Sequence, residues 1–583
     1  MSEVGLAHID VKCVVIDSIS NTAKDVWKIV AKVIEHFPNV PIVCMHTLEP
    51  TSISSERLSS HGIEMKFQSL YLWTLSRNHI RRIVSDYNDQ HQVGDENSVT
   101  TKIAADLEML NLHRTPLNCL TLLKVSEYDF EDSPVNRSEM IKRVLFLLFN
   151  VDSLPTYKAR PDLKDCEFVL GYFCEILIKK NTYTFSRRQF LETLQQCCRE
   201  RYIDLEVQIV FDVLSMNNIL ICRDGEFGFR FSFWIYYFAA LRMHHDEAFA
   251  NFIITDFKYS SMPEVIEFYT GIDRQRDDAL KVLTNDLASL RQQVEDKCGL
   301  PKNLDPYRLA QWTPSPAAIQ KMQAEIEVGV RDSNLPAEIK DRFADQEYDL
   351  SRPYDQRVNI FAEQSVTCLM QTLRASSKAL RNSDYVAPAT KRALLEEILK
   401  CWEQLTMVLL VILPVLAEKG KAIFDGVAFV LDGNFGATTK ERLIGVLSEI
   451  PNNVVRWSKD DLHSQKMGPL LIDVFKKESI DLRKHELALL LISQRPRNWS
   501  EIIQYYITSI NKNSFYLLDV YRALRTQYRY SYASNATLKE IEHLIRMAIT
   551  KHVTGTKEPG VKLIQKTIPK LVGDPVIPPR EVS

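Results

Sequence analysis

From Pro263 onward, apart from a loop-rich, proline-rich connection over 300–355, nearly every stretch repeats its apolar residues at three- and four-residue intervals, the spacing that places them on one face of an α-helix. In ALKVLTNDLASLRQQV, Leu280, Leu283, Leu287, Leu290 and Val294 form a short seam. At little more than two heptads it reads as a helix packing within its own domain rather than as a dimerising coil. From 358 to 553 helices follow one another at intervals of roughly thirty to forty residues without a strict repeat, which predicts an irregular helical array. Only 18 of 583 residues are glycine, too few for a large α/β enzyme built on tight turns. The expected fold is mainly α, with length for about three to five domains.

Charge and cysteine usage exclude several classes. A net charge of −3 gives no general pull toward nucleic acid or an anionic membrane. The 11 cysteines include no Cys-x-x-Cys pair, and with no apolar, cleavable leader a reduced, cytoplasmic setting is expected. In WEQLTMVLLVILPVLAEKG the apolar core, Met407 to Ala417, is shorter than the ~20 residues a bilayer needs and contains Pro414. A buried core helix is expected there. No His-Glu-x-x-His, Gly-x-Ser-x-Gly or zinc-spaced pair occurs. GNFGATTK, Gly433 to Lys440, lacks the Gly-Lys-Ser/Thr ending of a phosphate loop and reads as a turn. Acidic residues interleave the arginines of Arg187 to Tyr202, a solvated face rather than a nucleic-acid surface. The doublet His244-His245 reads as surface at a helix end.

The N-terminal order is different. VKCVVID and VPIVCMHT are buried strands by their β-branched runs, and Asp25 to Phe37 between them places Val26, Ile29, Val30, Val33, Ile34 and Phe37 on one helical face. A parallel β-α-β unit is predicted. Helices then run from Ser76 to about Asn150, and Arg114-Thr115-Pro116 sets Thr115 to cap a helix that begins at Pro116. Several short helices lead to a hairpin, Ile219 to Ser232, turning at Asp224-Gly225, and an aromatic helix from Phe233 to Met243 closes the module. This divides the chain into 1–70, 71–160, 161–245, 246–357 and 358–583.

In that order these stretches resemble the signal-transducing ATPases called STAND proteins, of NACHT type, within the AAA+ class. The resemblance runs over VVID, PIVCMHT, Leu75-Ser76-Arg77, Arg114-Thr115-Pro116 and FWIYYFAA, roughly residues 10–245. It implies a truncated α/β nucleotide-binding core at the N-terminus, a helical lid, a winged-helix module and a C-terminal α-helical array that senses a ligand. Asp17 would be the Walker B residue beside magnesium, His46 would stand at the sensor-1 position, and Arg114, Thr115 and Pro116 would form the lid motif. The departures are specific. No Gly-x-x-x-x-Gly-Lys-Ser/Thr precedes Asp17, Ser18 to Asn21 bring no acidic residue, and Phe231 stands where the family's winged helix often has histidine. The chain thus reads as the C-terminal portion of such a protein, with ATP or ADP and magnesium implied as cofactors but no catalytic residue of its own.

The function implied is the regulatory and ligand-sensing part of a STAND NTPase in bacterial antiviral defence, where a protein ligand such as a phage-encoded one triggers oligomerisation and switches an effector. An NTPase or effector portion in cis or in trans is the second partner, and neither membrane nor nucleic acid is expected. Two alternatives stand beside it: an ATPase completed in trans by a chain bearing the Walker A loop, and a helical scaffold without nucleotide. For the ligand surface, Ser514 to Tyr532 carries more Tyr and Arg than one buried face can hold. Phe515, Leu518, Val520 and Leu524 supply a core face, and Arg525, Tyr528 and Arg529 line a partner-binding surface. The proline-rich tail after Gly555 is expected to be mobile.

Overall fold

The computed structural model describes residues 11–19, 26–37, 40–46, most of 75–298 and of 365–570, Tyr307, and 575–580. Within them the chain is mainly helical. The stretch 300–355 apart from Tyr307, and Gly433–Ala437 of GNFGATTK, lie outside the described residues.

At the N-terminus β1 (Val14–Ile19), α1 (Val26–His36) and β2 (Ile42–His46) form the expected parallel unit, but the strands are not buried as their β-branched runs suggest: Val15, Val43 and Met45 are exposed. Val14 pairs with Ile42 and Ile16 with Cys44, and the register shifts before Ile19 meets His46. Four helices follow: α2 (Arg77–His91), α3 (Glu96–Met109), α4 (Pro116–Tyr128) and α5 (Arg137–Asn150). Ser76 caps α2 by accepting from the His79 N–H, and Ile80, Val84, Val99, Ile103 and Leu123 close a core with no exposed surface.

The next module runs α6 (Leu163–Lys180), β3 (Thr184–Phe185), α7 (Arg187–Arg201), α8 (Val207–Met216), β4 (Leu220–Arg223) and β5 (Glu226–Phe229). Its antiparallel sheet has the order β3-β5-β4, so the short first strand joins the outer side of the hairpin. The hairpin turns through Gly225 at φ +83°, a conformation glycine reaches without a Cβ penalty. Phe173, Phe190 and Phe211 pack edge to face at 4.8 and 5.4 Å to form its centre. Then α9 (Ser232–His245) lies along α6.

After α10 (Glu247–Ile254) the chain reverses at Asp256 and Phe257, both left-handed at φ 56°, and enters α11 (Pro263–Ile272) and α12 (Asp277–Cys298). The seam Leu280–Val294 is at most 3% exposed and turns onto α13 (Ser365–Asn382) and α14 (Pro388–Lys419), an intramolecular contact as the sequence predicts. Among the described residues α14 is the one helix long and apolar enough to cross a membrane, and 72% of its apolar stretch is buried inside the bundle. A hairpin, β6 (Lys421–Phe424) with β7 (Val427–Val430), interrupts what the sequence suggests is continuous helix. The rest is α15 (Thr439–Leu462), α16 (Gly468–Lys477), α17 (Asp481–Gln494), α18 (Trp499–Ser509), α19 (Phe515–Tyr530), α20 (Asn535–Thr554) and α21 (Val561–Thr567).

Candidate functional site

The helix α11, PEVIEFYTGI, begins on a proline and has no continuous polar stripe, the pattern of a helix buried on all sides. Eight of its ten residues are buried: Pro263, Val265, Ile266, Glu267, Phe268, Tyr269, Thr270 and Gly271. It packs against α5, α9 and α13. These belong to three stretches that the sequence divides from one another, 71–160, 161–245 and 358–583.

Glu267 is the charged residue of that buried set, and three cations reach it. Arg137 of α5 donates to its Oε2 at 3.0 Å, Lys378 of α13 to the same oxygen at 2.8 Å, and Arg381 of α13 to Oε1 at 2.6 Å. Burial alone pushes the carboxyl up. The three cations more than reverse this and hold it far below the usual carboxylate range. Lys378 also lies 3.7 Å from both Glu264 and Asp461, and Arg374 lies 3.3 Å from Asp461, whose carboxyl burial raises.

The carboxyl end of α11 is a second meeting point. A helix end leaves its last four carbonyls, here from Tyr269 on, without regular intrahelical donors, and side chains from three other helices approach these and the two carbonyls before them. Asn382 donates to the Glu267 carbonyl at 2.8 Å and the Ser138 hydroxyl to that of Phe268 at 3.4 Å. His244 Nε2 donates to Tyr269 at 3.0 Å, and Asn136 Nδ2 to Gly271 at 2.9 Å. Asn136 works twice, because its Oδ1 accepts from the Glu139 N–H at 3.0 Å and so caps the start of α5. Gly271 is required by the close approach: a Cβ there would stand 2.3 Å from Ser138 Oγ.

His244 is not the surface residue the sequence suggests. It is half-buried and stacked on Tyr269 with ring centroids 4.4 Å apart. Burial lowers its pKa, although the Tyr269 carbonyl works in the other direction. Beside the hub, Leu110, Arg137, Arg381 and Lys466 line a cleft of about 20 Å³, room for one water and not for a nucleotide.

A second buried polar node lies in the C-terminal array. His485 of α17 is fully buried. Its Nε2 lies 2.9 Å from Asp519 Oδ2 of α19, and its Nδ1 lies 3.2 Å from the Tyr506 hydroxyl of α18. Asn452 of α15 donates to the other Asp519 oxygen at 3.3 Å.

The residues singled out from sequence lie in three separate neighbourhoods. Asp17 is in β1 and His46 ends β2, both toward the carboxyl ends of the parallel strands; their side chains lie outside the described residues. Arg114 accepts the Leu75 N–H on its carbonyl at 2.8 Å, which ties the start of α4 to the start of α2. Thr115 caps α4 by accepting from the Asn118 N–H at 3.3 Å, with Pro116 in the first turn. Arg525, Tyr528 and Arg529 are on the last turns of α19. The core face there is wider than expected: Phe515, Val520 and Leu524 are buried as predicted, Leu518 is only half-buried, and Tyr516, Leu517, Asp519, Tyr521 and Ala523 are buried as well.

Sequence reasoning passed over Glu267, Arg137, Lys378 and Arg381. The available signal was the second of two glutamates, Glu267, set in the middle of a short and otherwise largely apolar helix. Among the described residues no group of three His, Cys, Asp or Glu could hold a metal ion. The chain carries no glycine-rich phosphate loop, so its residues do not by themselves fit the ATP or ADP that the resemblance implies. Neither protein-family models nor curated proteins give a match to the sequence.

Proposed function

We propose that this chain is the regulatory and sensing portion of a STAND-type NTPase, and that α11 is the latch holding its lid, its winged-helix module and its sensor array in the closed arrangement. The observation that carries the reading is Glu267, one buried carboxylate shared by the helix that would end the lid and the helix that would begin the array. The order helix, strand, two helices, hairpin, with sheet order β3-β5-β4, supports the winged-helix assignment of 161–245. In this reading Asp17 and His46 are the residues that would hold magnesium and phosphate if a phosphate loop is supplied to them. The complete protein works in the bacterial cytoplasm, where a protein ligand such as a phage component opens it and it oligomerises to switch an effector.

The geometry supports Arg137 as the partner that leaves. Glu267 keeps two cations when Arg137 withdraws, so its charge stays compensated within α11 and α13. Arg137 is already 20% exposed, and its release into water restores its hydration in exchange for the ion pair. Removal of Lys378 and Arg381 would instead strand a buried anion. The lid is therefore taken as the detachable part, and a ligand shifts the balance only by its difference in affinity between the two states.

Hydrogen exchange on Arg137→Gln tests this. Faster exchange confined to α2–α5, with α11 and α13 unchanged, is the expected result. Exchange that rises equally through α11 and α13, or nowhere, overturns the latch.

A further inference from the structure

The sequence assigns the proline-rich tail to a mobile segment and Arg525 and Tyr528 to a partner surface. The structure corrects the first and brings the two together. Residues 575–580, PVIPPR, lie on α19. The Pro575 carbonyl accepts from Arg525 Nη2 at 3.2 Å. Arg580 donates from Nη1 to the Tyr528 carbonyl at 2.7 Å and from Nη2 to the Ser531 carbonyl at 3.0 Å. Its guanidinium lies 5.7 Å from the centroid of the Tyr528 ring. Between these anchors Val576 and Ile577 are half-buried against the core and Pro578 is buried.

Each contact answers a need of one partner. The end of α19 presents carbonyls without helical donors and the negative end of a helix dipole, a place suited to a cation. A guanidinium meets two carbonyls at once with a planar fork, which a lysine ammonium does not reproduce. Pro575, Pro578 and Pro579 have no N–H to leave unsatisfied, and their restricted backbone gives up little freedom on docking.

We propose that the Arg525–Tyr528 face of α19 is a recognition groove for an extended, proline-rich protein segment that ends in arginine. The chain's own residues 575–580 fill it in cis until a partner's segment of that kind displaces them. This rests on reading 358–583 as a sensor array. Six residues held at a few points make a weak ligand when free, but a short tether supplies an effective concentration in the millimolar range and keeps the groove filled. A partner then competes with a weak occupant, and the groove stays closed to segments lacking the arginine.

The test uses a labelled peptide of residues 575–583, PVIPPREVS, and the chain ended at residue 570. Fluorescence anisotropy should show the peptide binding the shortened chain at least tenfold more tightly than the full chain. Arg580→Ala in the peptide, or Arg525→Ala in the shortened chain, should weaken binding at least tenfold. In the full chain Arg580→Ala should admit the wild-type peptide. No binding to a shortened chain that keeps its circular dichroism overturns the proposal. Failure of the shortened chain to fold also overturns it, since the tail is then an integral part of the array. Peptide binding together with an Arg137→Gln lid whose exchange is unchanged would keep the groove and remove the switch.

Discussion

The Glu267 hub and the His485–Asp519 node use the same device, a buried polar group with several partners, but differ in reach. The hub's hydrogen bonds join residues 130, 111 and 114 apart in sequence. The node joins His485 to partners 21 and 34 residues away, all within consecutive helices of the array. The first therefore sets how large parts of the chain sit against each other, whereas the second fixes packing inside one of them. Burial alone would not separate them, because both centres are shut off from water.

The largest effect is expected at the hub. Glu267→Gln keeps the shape but leaves three cations facing a neutral amide, and should cost about 3–5 kcal/mol in chemical unfolding. A loss near zero would mean that the cations rearrange into water and that the hub holds nothing. Asp519→Ala orphans the donors on His485 and Asn452 and should cost about 2–3 kcal/mol. Its distinguishing mark is locality: hydrogen exchange should rise in α15 and α17–α19 and stay unchanged in α2–α5. Exchange that rises in both regions would merge the two centres into one cooperative unit.

Gly271→Ala drives a methyl into Ser138 Oγ. Overpacking of about 1–3 kcal/mol, less the helix preference of Ala over Gly of about 0.5–1 kcal/mol, leaves a net loss between about 0 and 2.5 kcal/mol. Ser138→Ala in the same chain should recover part of it, and no recovery would place the clash elsewhere.

The smallest effect is a pH dependence. The folded pKa of His244 lies below its unfolded value of about 6.5. Its contribution is therefore present in full above pH ~6.5 and is lost as pH falls through the window below, where the unfolded chain takes up the proton first. Arg276, Asp273 and His245 act on the same ring. His244→Gln should flatten the stability curve between pH 7 and 5; an identical curve would assign any acid sensitivity to other groups.

Much of the local structure was legible. β-Branched runs marked β1 and β2, Asp224-Gly225 marked the hairpin, and the five-residue seam of α12 is buried at every position. These signals are short-range, set by periodicity and turn chemistry. The hub was legible only by half. A helix such as PEVIEFYTGI announces its own burial, but nothing within ten residues of Glu267 says that Arg137 or Lys378 will meet it. The seating of the tail on α19 was hidden for the same reason. A Pro-rich stretch reads as mobile until the distant carbonyls that Arg580 caps are known. On α19, a buried arc wide enough to take Leu517 and Tyr521 defeats the narrow stripe that spacing suggests.

The wide separation of the hub's partners has a consequence for synthesis. Lys378 lies 111 residues beyond Glu267, and ribosomes add about 5–20 residues per second. For roughly 6–20 s the newly made α11, apolar on every side, has its upstream neighbours but not the helix that supplies two of its three countercharges. Throughout that interval the nascent chain displays a sticky segment whose central carboxylate has at most one of its three cations, Arg137. Chaperone demand, and losses to aggregation when translation stalls, should therefore concentrate between completion of α11 and emergence of α13.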